Sequence, residues 1–392
     1  MRYSTATFPM LPIPGSPTII TGFFSLGLLM RFILVILYEL GVPLKRFQKG
    51  AQRTCITFTL GVELSWVIME EVVLGSGEVS VKPLAFESFG VRGMATFVET
   101  GDTGILIDPG SALGPRFNLM PHEREYMALA ESRRRIIDAA RDADLITVSH
   151  YHFDHYVPGF EEWTWIWSSP ELAERIYRGK LLLMKDTRSD INTSQRKRGF
   201  MFQKFVSNIA REVEPADGRE FRFGKTIVRF SSPAFHGPQN SPLGQVLMVS
   251  VRCGDVAFVH ASDVQGPMDA GALEFILQEK PEMAVVGGPP LYLKGYRVED
   301  RELETALGNM LVLARNVPVL VVDHHLLRTA EYSKYLTPVV EEAGARGNRV
   351  LAASELLGKA PVLLEAMRKE LYEEEPVGKE ERLESLKEKL LE

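Results

Sequence analysis

The chain of 392 residues is 45% hydrophobic, enough for a sizeable core in one large domain or two smaller ones. Its net charge of −6 excludes recruitment of nucleic acid by an overall positive field. The two cysteines, Cys55 and Cys253, form no CxxC and no disulfide framework. A reducing cytosol is therefore the default compartment, and any metal must be held by His and Asp instead of thiolates.

Residues 1–80 differ from the rest. They hold few acids and a long apolar run, "TIITGFFSLGLLMRFILVILY" from Thr18 to Tyr38, interrupted by Arg31. That length can span a bilayer, and Lys45, Arg46, Lys49 and Arg53 behind it would leave the following chain in the cytoplasm. A cleaved signal peptide fits poorly, because the cations follow the apolar run instead of preceding it. Two readings stand: a membrane anchor, or an extension outside the working protein with translation starting near Met69 or Val81.

Residues 81–372 read as one α/β domain. "VKPLAF", "MATFVET" and "GILIDPG" have the composition of short strands, the last closed by a Pro-Gly turn. "PHEREYMALAESRRRIIDAARDAD" carries apolar residues at helical spacing, with His122 at its start. The apolar strand "LITVS" runs into "HYHFDHYVPGFEEW", which packs His150, His152, Asp154 and His155 into six positions. Strand and helix patterns then alternate as far as "NVPVLVVDHH" and "RVLAASELL". Residues 373–392, "EEEPVGKEERLESLKEKLLE", are expected to form a solvated helix or a fraying end.

The histidine cluster has a chemical reason to exist. Side chains just beyond a strand end sit in a loop and can converge on one point. His150 and His152, two apart, can point the same way. Asp154 and His155, placed at the start of a helix, would diverge by about 100°. One pair can then face one metal and the other pair a second. Imidazole with carboxylate suits zinc, with iron or manganese as alternatives. The bland alternative is a histidine-rich surface loop.

The order HxHxDH resembles the signature of the metallo-β-lactamase-fold hydrolases, and the rest of that family's pattern follows in sequence. "GILIDPG" supplies Asp108, "SSPAFHGPQNSPLGQVLMV" supplies His236, "DVAFVHASDVQG" supplies Asp263, and "VPVLVVDHHLL" supplies His324 or His325. The opening "VKPLAFESFGVRGMATFVET", with "DVQG" and "DHHLL", is most similar to an uncharacterised archaeal branch of that superfamily. The resemblance implies an αββα sandwich with two divalent ions at one edge of its sheets. It assigns His150, His152 and His236 to the first ion, and Asp154, His155 and the last histidine to the second, with Asp263 bridging and Asp108 bracing the loop. The order Asp323-His324 favours His324 as the ligand and turns His325 toward substrate. The implied reaction is hydrolysis by a hydroxide shared between the ions, with Asp154 orienting it or taking its proton.

The substrate class is left open by these residues. "KDTRSDINTSQRKRGFMFQKF", Lys185 to Phe205, interleaves cations with Phe200, Phe202 and Phe205. Such a stretch suits phosphate or single-stranded nucleic acid, or is simply an amphipathic helix with a solvated basic face. Arg196 and Arg198 are its candidates for substrate binding. His260, three residues before Asp263, either reaches substrate as a leaving-group acid or is a buried strand-end residue. "FHGPQNSPLGQVL" resembles the matching segment of tRNA 3′-end-processing endonucleases, which points to a phosphodiester, in nucleic acid or a small phosphate ester. A lactone or thioester is the alternative, and an iron redox or binding-only role the third. Roughly sixty residues separate Asp263 from His324, too few for the added nuclease domain of the larger RNA-cleaving members.

Overall fold

The computed structural model describes residues 55–56, 66–67, 71–375 and 380–391. The apolar run of residues 18–38, the cations behind it and Met69 lie outside the described residues. Among the described residues, no helix is long and apolar enough to cross a membrane.

Two seven-stranded sheets carry the fold. The first runs in chain order: β1 (Val72–Leu74), β2 (Val79–Phe86), β3 (Met94–Thr100), β4 (Gly104–Ile107), β5 (Leu145–Val148), β6 (Leu181–Met184) and β7 (Glu212–Pro215). The sheet thus begins at Val72, nine positions before the expected domain start. The second is ordered β8 (Glu220–Phe223), β9 (Thr226–Phe230), β10 (Val249–Cys253), β11 (Val256–His260), β12 (Met283–Gly287), β13 (Val319–Asp323) and β14 (Arg349–Leu351). Both sheets start with antiparallel strands and finish with parallel ones. The central parallel strands "GILI", "LITV" and "LLLM" are buried at every position. Continuous apolar runs of this kind are what a strand covered on both faces requires.

The helices are α1 (Glu123–Asp142), α2 (Pro170–Tyr177), α3 (Thr193–Val206), α4 (Ala270–Glu279), α5 (Asp300–Asn316), α6 (Tyr332–Gly344), α7 (Arg368–Glu374) and α8 (Glu380–Leu391). His122 caps α1, with Glu125 completing a capping box. Three apolar layers result. Val81, Val98, Ile105 and Leu183 of the first sheet meet Val228, Val251, Phe258 and Val321 of the second. Leu106, Ile146 and Leu182, on the opposite face, pack under Ile136 of α1, Ile176 of α2 and Phe202 of α3. Val259, Val286 and Val322 pack under Ile276 of α4, Leu313 of α5 and Val339 of α6. This is an αββα sandwich. The final helix, expected to be solvated, instead seats Leu390 in the first helical layer with Leu383 and Leu386 against it. An apolar stripe on a charged helix buries surface worth about 25 cal/mol per Å², which holds it down.

Topology sets the site. Ile107 pairs with Thr147 in parallel register, so Asp108 and Ser149 leave the first sheet at the same edge. Gly287 pairs with Asp323 in the second sheet, so the segment after β13 emerges beside the loop after β12.

Candidate metal centre

The loops at that edge bring the eight candidate ligands, His324 and His325 both included, into one knot. His150, His152, His236 and Asp263 form one group with mutually close ligand atoms, all within 4.8 Å. Asp154, His155 and His324 form a second, and Asp263, His324 and His325 a third that joins the first two. His324 is common to the second and third groups, and Asp263 to the first and third. Asp263 Oδ2 lies 2.7 Å from His236 Nε2, 2.9 Å from His325 Nε2 and 3.3 Å from His324 Nε2. Asp154 Oδ2 is 3.8 Å from His324 Nε2. His150 Nε2 is 3.1 Å from His152 Nδ1.

Each deep histidine is held by its other nitrogen. His155 Nδ1 is 2.9 Å from Asp108 Oδ2, His150 Nδ1 is 2.9 Å from Ser149 Oγ, and His324 Nδ1 is 2.8 Å from Glu87 Oε2. His236 Nδ1 lies 3.2 Å from the side-chain amide of Gln265. Fixing Nδ1 sets the ring orientation, as in metal-binding histidines generally; it leaves the Nε2 atoms of His155, His236 and His324 without a partner, while that of His150 meets His152. Asp108 also accepts from the Ser149 backbone, the Ser149 hydroxyl and the Ser262 hydroxyl, at 2.7, 2.6 and 2.9 Å. Its contacts thus join loop residues at the ends of both sheets to the histidine loop. Asp323 accepts from the backbone N–H of His324 and Ala353, at 2.7 and 2.9 Å, and so fixes the turn that aims His324.

The backbone is shaped for this. Asp108, Ser262, Gln265 and His324 adopt positive φ, at 46, 55, 56 and 63°. Non-glycine residues rarely do so, and such outliers concentrate at sites where geometry matters. Gly110 cannot be replaced: a Cβ there would sit 2.4 Å from the His155 backbone nitrogen.

The donor set fits divalent ions. The Nε2 atoms of His155, His236 and His324, with Asp263 Oδ1, are buried without a hydrogen-bond partner. His236 Nε2 and Asp263 Oδ2 are close but lack hydrogen-bond geometry, so proximity alone does not satisfy them. Leaving one buried polar atom unpaired costs roughly 1–3 kcal/mol, and a bound cation would relieve all four at once. Protonation agrees for most of the set. Burial, reinforced by neighbouring histidines, holds His150 well below the usual imidazole range and His152 down to about 3. Burial would raise Asp263, but His236, His325 and His324 outweigh it and keep the carboxyl well below its ordinary value. His324 differs: burial lowers it, yet Glu87 and Asp263 raise it well above the imidazole range, giving it a proton that metal binding must displace.

Several expectations are corrected. Asp154 and His155 do not start a helix; residues 153–155 form a turn, and the next helix begins at Pro170. Pro158 and Gly159 follow immediately and cannot sustain one. His260 does not face the site. Strand alternation puts it with Val256 and Phe258 between the sheets, where its Nε2 is 2.9 Å from the Met94 carbonyl. Arg196 and Arg198 do not act together, because residues two apart on a helix point about 200° apart. Arg198 is half-buried with its guanidinium 5.3 Å from the Phe153 ring centre, and its charge is felt by His152. Arg196 is exposed, and among the described residues its side chain bonds the Arg188 carbonyl alone, at 3.2 Å. It lines an open groove of about 790 Å³ with Arg188, Lys197, Lys204 and the exposed Phe200 and Met201, apart from the histidines. His325 points its Nε2 at Asp263 and its Nδ1 at the Tyr292 hydroxyl, 2.9 Å away.

Sequence reasoning missed Glu87, Ser149, Ser262, Gln265, Tyr292 and Arg328. Arg328 bonds Glu87 through Nε at 2.5 Å and lies 3.5 Å from Asp154. Glu87, Ser149, Ser262 and Gln265 lie inside the segments "VKPLAFESFGVRGMATFVET", "LITVS" and "DVAFVHASDVQG" that the sequence brought forward for other residues.

Residues 89–157 match the family model described as Metallo-beta-lactamase superfamily. Among solved structures, unliganded yeast PDE1 is 12% identical over 70% of this chain and 97% of its own, with a TM-score of 0.41. Tm1679, a metal-dependent hydrolase of the beta-lactamase superfamily, is 13% identical over 69% of this chain and 94% of its own, with a TM-score of 0.39. Sequence relatives are far nearer. The UPF0282 protein of Methanopyrus kandleri is 44% identical over 75% of this chain and 99% of its own length. That of Korarchaeum cryptofilum is 44% identical over 77% and 97%, and that of Saccharolobus solfataricus 37% over 76% and 94%. With this identity along nearly the whole length of its relatives, the chain belongs to the UPF0282 family, on a metallo-β-lactamase fold.

Proposed function

We propose that the protein is a hydrolase of phosphodiesters, in nucleic acid or a small phosphate ester, working with two divalent ions, zinc before iron or manganese. The observation that carries the metal part is the set of buried, unpartnered atoms of His155, His236, His324 and Asp263 converging from both sheets. His150, His152 and His236 would hold one ion, Asp154, His155 and His324 the other, and Asp263 would be shared. When bound, the ions supply Lewis-acid activation of a water and of the oxygen under attack.

The chain's own groups do the rest. Asp154 is 17% exposed, the most open carboxylate of the cluster, so it can meet a water entering from solvent. Burial would raise its carboxyl, but His155, His324 and Arg328 outweigh this and keep it ionised. It can therefore orient the water by accepting its hydrogen bond, while a carboxyl held this far below its usual range is a weak proton acceptor. Asp108 and Glu87 keep His155 and His324 aimed. Asp154 and Asp263 alone do not cancel two divalent charges, so the site favours an anion. Arg198, fixed on Phe153 and with no carboxylate hydrogen-bonded to it among the described residues, is placed to hold a phosphate oxygen.

The test is a substrate panel on the zinc-reconstituted full chain: a bis(p-nitrophenyl) phosphodiester, a lactone and a thioester. Hydrolysis of the phosphodiester above the other two is expected. Turnover confined to the lactone or thioester would move the protein to that class, and tight iron binding without hydrolysis would favour redox or binding alone.

A further inference from the structure

A second cationic group stands beside the cluster, outside the predicted ligands. Arg92, Arg116 and Arg328 gather next to Tyr292, and two of them are spent on carboxylates. Arg92 grips Glu365 with two bonds of 2.6 and 2.8 Å, and Arg328 grips Glu87 at 2.5 Å. Arg116 differs. Among the described residues no carboxylate hydrogen-bonds it; its Nη2 reaches only the Arg328 carbonyl, at 3.3 Å, and its Nε is buried without a partner. Its guanidinium lies 4.5 Å from the Tyr292 ring centre and 4.8 Å from that of Phe117. Stacking of this kind holds the flat face and leaves the N–H edge for an anion.

The position is fixed and adjoins the chemistry. Tyr292 stacks on His325, ring centres 6.1 Å apart at 28°, and its hydroxyl is 2.9 Å from His325 Nδ1; His325 in turn touches Asp263. Leu119 N–H bonds the Arg116 carbonyl at 2.9 Å across a tight turn whose middle residues, Phe117 and Asn118, have φ of 56 and 57°. Arg368 clamps the same turn through the Leu119 carbonyl at 3.0 Å. Gly114 just before it leaves room for the Arg92 guanidinium, which a Cβ would strike at 2.0 Å. A loop this constrained holds a partly desolvated cation, attracted by Glu365 but hydrogen-bonded to no carboxylate among the described residues, in place before any ligand arrives.

The geometry points to Arg116, seated on Tyr292, as a binding site for a second phosphate of the substrate, next to the one held at the metal centre. The assignment rests on the phosphodiester reading and sharpens it: the substrate carries a further phosphate beyond the scissile one, as a terminal phosphate or the next link of a polynucleotide. Arg198 approaches the cluster from α3 and Arg116 from the loop after β4, so the two arginines serve different parts of such a substrate.

The experiment uses the zinc-loaded full chain and two chromogenic substrates, a p-nitrophenyl nucleoside phosphodiester with and without a further terminal phosphate. Wild type should show the lower KM for the doubly phosphorylated one. Arg116→Gln should raise that KM about tenfold and raise the other much less, erasing the preference, while Arg116→Lys should recover part of it. Equal changes for both substrates, or no preference in wild type, would overturn the assignment. If wild type hydrolyses neither, the phosphodiester reading fails by itself. The anion site is then read by calorimetry with inorganic phosphate: binding at least tenfold weaker in Arg116→Gln upholds it, and equal binding refutes it.

Discussion

The histidine cluster and the outer face of α3 both concentrate polar chemistry in a short stretch of chain, and the fold treats them in opposite ways. In the cluster, His150, His155, His236, Asp263 and His324 are all but sealed from solvent, and the second nitrogen of each histidine is held by a named partner. On α3, Arg196 and its neighbours Lys197 and Lys204 stand in solvent. The difference teaches what marks a site. Exposed charges are satisfied by water and keep many conformations, and ion pairs there contribute little. Buried polar atoms are tolerated only when something compensates them, so unpartnered atoms that are aimed at one point imply a ligand. Arg198 sits between the extremes, on the same helix as Arg196 but turned toward Phe153.

That contrast can be broken by mutation. The largest effect is expected within the cluster. Asp263→Ala removes the carboxylate shared by three histidines and should lower phosphodiester hydrolysis by at least a thousandfold, read as kcat/KM. His324→Ala should lower the metal count per chain, whereas His325→Ala should keep it and change KM, because His325 also engages Tyr292. A reversal of those two results would exchange their roles. A smaller effect is expected at the helix. Arg198→Glu should raise KM for a phosphodiester about tenfold with a lesser fall in kcat, since it acts on binding more than on the reacting groups. Arg196→Glu should change KM less than twofold. Equal effects would mean that α3 acts as a diffuse basic surface, and the sharp boundary drawn here would be lost.

Much of the site was legible because its ligands follow strands. "LITVS", "VAFVH" and "VPVLVVD" are apolar runs whose ends announce a loop, and His150, Asp263 and His324 stand just past them. The αββα architecture follows from the same alternation of buried strands and amphipathic helices. The supporting residues were hidden. Glu87 and His324 are 237 positions apart, and Ser149 and Ser262 are 113 apart, so nothing in the local pattern links them. The positive φ values of Asp108, Ser262 and His324 leave no trace in residue type, since none is glycine. The Arg196 and Arg198 pairing failed for a simpler reason: composition was read without helical direction, although Asn192 caps the helix and fixes its phase. The docking of α8 through Leu383, Leu386 and Leu390 was masked by the density of charge around those three leucines.

The central claim is that these buried atoms from two sheets hold a pair of metal ions. Its most direct test is the metal content of the full chain, purified, reconstituted with zinc, freed of excess, and measured by plasma mass spectrometry against protein concentration. Two ions per chain are expected for wild type, with loss of the first ion in His150→Ala while circular dichroism shows the fold retained. A wild-type chain that keeps its fold and binds no ion, or a His150→Ala variant that still binds two, would contradict the account.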